Sequence, residues 1–293
     1  MSTTSTPTEA ASPKVTLPLL TEKKRRGEPI VMVTAYDLPS AQVAEEAGVD
    51  LVLAGDTAAM TVLGYPATTP VTLEEMLVLT KAVRRALRAP LLIGDLPFGS
   101  YERCHEQAIA SAQRLVKEAG CDVVKFEGPA AGRAEAIISA GISVMGHLGL
   151  TPQTATALGG GFKAQARDAV AAHKLVDDAV ALEAAGCFAL VLEAVPAEVA
   201  AAVTERLRIP TIGIGAGPAT DGQVLVLNDL LGIFEEFKPR FVKHYAHLRR
   251  EMIGAVSSFA ADVRARRFPA EEHCYAMGAE ERGRFLASLA EDA

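Results

Sequence analysis

Leu51-Val-Leu-Ala-Gly-Asp56, Leu91-Leu-Ile-Gly-Asp95, Val123-Val-Lys-Phe-Glu127, Val144-Met-Gly-His147 and Ala189-Leu-Val-Leu-Glu193 are five apolar, strand-like runs, and each closes on a residue able to carry chemistry. A helix-like stretch separates each run from the next. One strand ending in Asp or His carries little information. Five in succession describe one site assembled from successive strand ends. That is the arrangement of a (β/α)₈ barrel, whose active site lies at the carboxyl ends of its strands. The runs are continuous in Val, Ile and Leu rather than alternating, as in parallel sheets covered on both faces.

Working outward, β-then-α units repeat from Pro29 onward. Strands are predicted over 31–35, 50–55, 90–96, 122–128, 143–148, 188–194 and 211–215, with Val224-Leu-Val-Leu227 as a weak eighth. Helices are predicted over 39–47, 72–87, 103–119, 131–140, 167–185 and 196–207, and a closing helix over about 241–265. Thr72 can cap the second of these, and Gly48, Gly120, Gly141 and Gly186 stop others. No linker divides the alternating region. The expected organisation is a disordered tail over 1–17, one α/β domain (a TIM barrel) over 18–275, and a helical or disordered tail over 276–293. Lys23-Lys24-Arg25-Arg26 reads as a solvated helix face or end.

Composition narrows the partners. The 293 residues carry 36 acidic and 29 basic side chains, a net charge of −7, which gives no electrostatic reason to expect nucleic acid or an anionic membrane. No apolar stretch reaches the roughly 18 residues of a membrane helix, and the N-terminus has no apolar export signal. Cys104, Cys121, Cys187 and Cys274 are scattered without a C-x-x-C pair, which fits a reducing cytoplasm.

Asp56, Asp95 and Glu127 end the second, third and fourth strands, whose ends lie side by side. Taken singly, each fits a helix cap or an arginine partner. Three close carboxylates repel unless a cation or a proton intervenes. Mg²⁺ suits such a set, because it takes one or two carboxylates, keeps waters and leaves positions for a substrate's oxygens. Lys125 precedes Glu127 by two, so strand alternation puts both on one face. It either neutralises the carboxylates or meets an anionic substrate group. His147 is either a hydrogen-bonded structural group or a substrate contact. Glu193 closes an otherwise apolar run and suits a general base; the alternative is a carboxylate bonded to backbone or to His147. Gly213-Ile-Gly-Ala-Gly217 fails as a G-x-G-x-x-G dinucleotide motif, since Pro218 and Thr220 occupy the positions of the third glycine.

Collinear with these residues are Thr34-Ala-Tyr-Asp37, Gly55-Asp-Thr57, Met60-Thr-Val-x-Gly64, Asp95-Leu-Pro-Phe98, Lys125-Phe-Glu-Gly128, Gly146-His-Leu-Gly-Leu-Thr-Pro-Gln153, Leu192-Glu193, Val195-Pro196 and Asp221-Gly-Gln223. Over about Val15 to His273 the chain thereby closely resembles the ketopantoate hydroxymethyltransferase family. The resemblance implies a Mg²⁺-dependent transfer in pantothenate biosynthesis. The one-carbon unit of 5,10-methylenetetrahydrofolate goes to 3-methyl-2-oxobutanoate, giving ketopantoate and tetrahydrofolate. It also implies that Asp56 and Asp95 hold the metal, with Glu127 beside it or ligating through water. Asp56, Thr57, Asp95 and Lys125 would meet the oxo acid, and Glu193 would take its proton. Relatives are homo-oligomers, often decamers in bacteria. The chain departs from the family at Thr57 (usually Ser), Pro129 and Ala166 (usually Gly), and at Thr154-Ala-Thr156. The alternative is a Mg²⁺-dependent lyase or mutase of the phosphoenolpyruvate mutase and isocitrate lyase kind, whose barrels also bind 2-oxo acids.

Overall fold

The computed structural model describes residues 13–156, 163–234 and 239–291. Its elements are, in order, α1 (Leu17–Arg26), β1 (Ile30–Thr34), α2 (Leu38–Glu46), β2 (Leu51–Ala54), α3 (Ala58–Thr61), α4 (Leu73–Arg84), β3 (Leu91–Asp95), α5 (His105–Ala119), β4 (Val123–Lys125), α6 (Ala131–Ser139), β5 (Val144–Gly149), α7 (Ala169–Ala184), β6 (Ala189–Glu193), α8 (Ala197–Arg206), β7 (Thr211–Ile214), β8 (Gly222–Leu225), α9 (Leu227–Leu230), α10 (Leu248–Arg264) and α11 (Ala279–Glu291). Among the described residues the strands pair in parallel in sequence order, and β8 returns to β1 to close the barrel. Each strand begins or ends within about two residues of its expected place. The local signals work as read: Thr72 accepts from the Glu75 amide while Glu75 accepts from that of Thr72, closing a capping box at α4.

Strand alternation splits the core into two layers. Met32, Leu51, Ile93, Val123, Met145, Val191 and Val224 turn inward and pack together inside the barrel. Their neighbours Val33, Val52, Leu92, Val124, Val144 and Leu190 turn outward against the helices. Two residues further along the same strands stand Asp95 after Ile93, Lys125 after Val123, His147 after Met145 and Glu193 after Val191. The interior therefore changes from hydrocarbon to charge within one layer, at the carboxyl end.

The opposite end is closed by α1. Thr16 caps it, and Leu20, wholly buried, joins the interior layer together with Val15. Here the sequence reading needs correcting. Lys23 and Lys24 are not solvated: they reach Asp50 at 2.5 Å and Asp221 at 2.7 Å, at 19% and 15% side-chain exposure. Only Arg25 and Arg26 behave as expected, pairing with Glu22 in solvent. The cause is the helix period, which turns two of four successive basic residues to the barrel and two to water. Most of the expected tail, 1–12, lies outside the described residues. By contrast Lys14 bonds Asp122 and the Val15 amide bonds Ala89.

By its contacts the chain forms two compact units, Met1–Tyr245 with the barrel and Ala246–Ala293. The closing helix expected over 241–265 is α10, and none of its residues is buried. Its Met252, Ile253, Val256 and Phe259 are exposed. Because Leu20 fills the closed end of the barrel, Leu20→Ala should lower unfolding free energy by about 2–5 kcal/mol. Chemical denaturation will read this, and a loss below about 1 kcal/mol would show that the plug does not carry the closed end.

Candidate active site

The barrel register brings the acidic strand ends together. Asp95 lies opposite Lys125 across β3 and β4, and Gly149 opposite Glu193 across β5 and β6. Asp56, just past β2, donates its amide to Asp95 Oδ2 at 3.1 Å. Lys125 Nζ bonds Asp95 Oδ1 at 2.7 Å and stands 3.9 Å from Glu127 Oε1. His147 sits between two carboxylates, its Nδ1 3.4 Å from Glu127 Oε1 and its Nε2 3.2 Å from Glu193 Oε2. Neither contact is aligned as a hydrogen bond, so the attraction is ionic. Asp56, Asp95, Lys125, Glu127 and His147 are all buried, and Glu193 is partly open to the cavity above them. All the residues singled out from sequence thus converge at one barrel mouth. Glu193 lies beside His147 as an ion pair rather than a hydrogen-bonded partner, and Lys125 lies against the carboxylates that its neutralising reading named.

The electrostatics are unbalanced. Burial, reinforced by Asp95 and Glu127, raises the Asp56 carboxyl well above its usual range. Burial also raises Asp95, although Lys125 opposes it. Burial works against ionisation of Glu127 too, but there His147, Lys125 and the Gln153 amide win and hold it low. Desolvation alone would depress His147; Glu127 and Glu193 outweigh it and push the imidazole up to about 9. Four carboxylates, Asp56, Asp95, Glu127 and Glu193, therefore face two cations, Lys125 and His147.

That donor set fits a hard divalent ion. Asp56 and Asp95 are adjacent, buried carboxylates, and Asp56 Oδ1 has no hydrogen-bond partner among the described residues. No group of three His, Cys, Asp or Glu side chains among the described residues is placed to cage a metal by itself. Two carboxylates with waters and substrate oxygens is how Mg²⁺ is commonly held. Glu127, engaged by His147 and by the Gln153 amide at 3.0 Å, stands beside that pair rather than completing it.

Gln153 is the residue that sequence reading left without a role. Its Nε2 donates to Asp56 Oδ2 at 2.9 Å and to the Leu96 carbonyl at 3.0 Å, and its Oε1 accepts from Tyr101 at 2.6 Å. One amide side chain thereby orients one carboxylate while its own backbone orients another. Its place at the end of the Gly146–Gln153 motif was the only signal. Thr57, the departure from serine, bonds Tyr36 through its hydroxyl at 2.7 Å, so the added methyl leaves that bond intact. Gly149 passes so close to β6 that a Cβ would stand 2.2 Å from the Glu193 carbonyl. Ala166, where the family resemblance implies glycine, has φ 54, left-handed and strained for a residue with a Cβ, and so has Ala194 at φ 48 beside Glu193. The two stretches are tied by the Gln165 amide donating to the Ala194 carbonyl at 2.9 Å. Residues 157–162 of the same loop lie outside the described residues.

Fold and site together define an enzyme of the (β/α)₈-barrel class with an acidic centre at its strand ends. Comparison with known proteins is more specific. The family model for ketopantoate hydroxymethyltransferase matches residues 14–271, and the chain belongs to that family. It is 53% identical over 264 residues to 3-methyl-2-oxobutanoate hydroxymethyltransferase of Moorella thermoacetica, covering 89% of this chain and 98% of the relative. It is 49% identical over 285 residues to 3-methyl-2-oxobutanoate hydroxymethyltransferase 1, mitochondrial, of Arabidopsis thaliana, covering 94% and 82%. Among solved structures it resembles phosphoenolpyruvate phosphomutase from Streptomyces platensis subsp. rosaceus (TM-score 0.54, 17% identity, covering 93% and 97%). It likewise resembles phosphonopyruvate hydrolase in complex with oxalate and Mg²⁺ (TM-score 0.56, 15% identity, covering 94% and 96%). At such identities these structures share the fold alone.

If Gln153 orients the acidic pair, Gln153→Ala should lower kcat/KM about 10- to 100-fold, the range expected when a buried hydrogen bond to a charged group is lost. Steady-state kinetics on a variant whose circular dichroism matches the parent will decide it. A value within twofold of the parent would remove Gln153 from that role.

Proposed function

We propose that this protein transfers the one-carbon unit of 5,10-methylenetetrahydrofolate to 3-methyl-2-oxobutanoate, water being consumed, to give ketopantoate and tetrahydrofolate. What carries this reading is 53% identity, over 98% of its length, to a relative of that printed activity. Asp56 and Asp95 would hold Mg²⁺, with Glu127 beside it. When bound, the ion supplies Lewis-acid polarisation of the chelating ketone and carboxylate oxygens of a 2-oxo acid.

The remaining work falls to the chain's own side chains. Glu193, partly open to the cavity, removes the proton at C3. His147, cationic and 3.2 Å from Glu193 Oε2, holds that carboxylate in place. Lys125, buried and held cationic by the surrounding carboxylates despite its desolvation, offers positive charge for the developing enolate oxygen. Thr57 lines the same cavity and reaches the oxo acid. The enolate carbon then forms its C–C bond to the one-carbon unit, the folate nitrogens leaving as tetrahydrofolate and water supplying the hydroxyl oxygen. The lyase or mutase alternative rests on structures that share only the fold, whereas the sequence identity lies with the hydroxymethyltransferases.

Among the described residues no helix is long and apolar enough to cross a membrane, and Cys104, Cys121, Cys187 and Cys274 are all free. A reducing compartment such as the cytoplasm, and a homo-oligomeric assembly, complete the proposal. So do a tail before the barrel and a helical C-terminal segment.

Purified protein given the oxo acid, methylenetetrahydrofolate and a series of divalent ions should form ketopantoate, most strongly with Mg²⁺; no product with any ion would sink the reading. With Glu193→Gln, oxo-acid binding should persist while C3 deuterium exchange slows by roughly 10²-fold or more. Near-normal exchange would strip Glu193 of its role as base. Asp95→Ala should abolish Mg²⁺-dependent binding of the oxo acid in titration calorimetry, and unchanged binding would place the metal elsewhere.

A further inference from the structure

A cavity of about 1020 Å³ adjoins the acidic site. The two share Thr57, Pro152, Glu193, Ile214 and Val226, so a molecule in the larger space meets the catalytic one at the base residue. A small oxo acid fills only a fraction of it. Its volume is that of a cofactor-sized pocket.

The walls are largely apolar, with Met60, Leu150, Val195 and Phe241 among them. Three carboxylates line it. Glu193 is the base already described, and Glu198 is exposed on the first turn of α8. Asp229 differs from both. It is half-buried, and its side chain has no hydrogen bond or ion pair among the described residues. Burial accordingly pushes its carboxyl up to about 6. An unsatisfied carboxylate inside an apolar cavity is costly unless a ligand supplies donors. Exposed Arg240 lines the same cavity and likewise has no ion-pair partner among the described residues.

We infer that Asp229 reads the pterin of the one-carbon donor, its two oxygens accepting from the 2-amino group and the neighbouring ring N–H. Those two donors lie side by side in one plane, the geometry that a guanidinium presents to a carboxylate. The apolar walls suit the flat ring, and Arg240 suits the anionic glutamate end. This assignment rests on the folate reading above and gives Asp229 a part in no bond-making step.

The test uses Asp229→Asn in the full chain with Mg²⁺. KM for methylenetetrahydrofolate and Kd for tetrahydrofolate should each rise about 10- to 100-fold, the scale of a lost charge-assisted pair. C3 exchange of the oxo acid, which needs no folate, should stay within about twofold of the parent on that reading. A tetrahydrofolate analogue lacking the 2-amino group should narrow the gap between parent and variant, since only the ring N–H contact to Asp229 remains. Unchanged KM and Kd would overturn the assignment, and so would a fall in exchange matching the fall in folate affinity. Absence of exchange in the parent protein would instead defeat the proposed reaction itself, whatever Asp229 does.

Discussion

Asp56, Asp95 and Glu127 are buried within one small volume, and everything at the barrel mouth is arranged around the repulsion this creates. Lys125 counters part of that negative charge, and His147 another part, shared with Glu193. The Gln153 amides satisfy oxygens on two of the carboxylates. What is left is concentrated on Asp56, where burial and its acidic neighbours disfavour the ionised form. An excess negative charge in a dry cluster is unstable by itself and becomes favourable when a divalent cation joins it. Readiness for metal and for an anionic, chelating substrate is therefore a property of the charge balance, not of any single ligand.

The barrel makes that density of charge tolerable. Two residues along each strand below the acidic layer, the interior is hydrocarbon, sealed at its far end by Leu20 and by the ion pairs of α1 with Asp50 and Asp221. Parallel pairing sets neighbouring strand ends at the same height, so that Asp95 and Lys125, or the Gly149 turn and Glu193, are adjacent without further adjustment. The backbone is most constrained at that layer: Gly149 leaves no room for a side chain against Glu193, and Ala194 and Ala166 both occupy left-handed conformations. Rigidity there holds the proposed base at a fixed angle to His147 and to both cavities.

Fold likeness and sequence likeness point to different degrees of resolution. Barrels at 15–17% identity share the architecture, including one solved with oxalate and Mg²⁺, and say nothing of the particular reaction. A relative at 53% identity over nearly its whole length is a different kind of witness, because it must preserve the loops as well as the strands. Those loops line the larger cavity, in which Asp229 and Arg240 stand.

The amino-acid sequence by itself determined the succession of eight strands, the barrel, the family, and which strand ends bear ionisable side chains. The reason is that these are local or periodic properties: a residue two positions beyond an inward apolar side chain points inward as well. Capping at Thr72 and the stop at Gly120 were legible for the same reason. Only the tertiary structure decided that Lys23 and Lys24 leave solvent for aspartates elsewhere in the chain, and that α10 leaves its apolar side chains exposed. It alone showed that Gln153 reaches Asp56 across 97 residues, and that His147 faces two carboxylates at once. Those partnerships join residues remote in the chain, and the closed register of eight strands, which no local pattern encodes, is what sets them side by side.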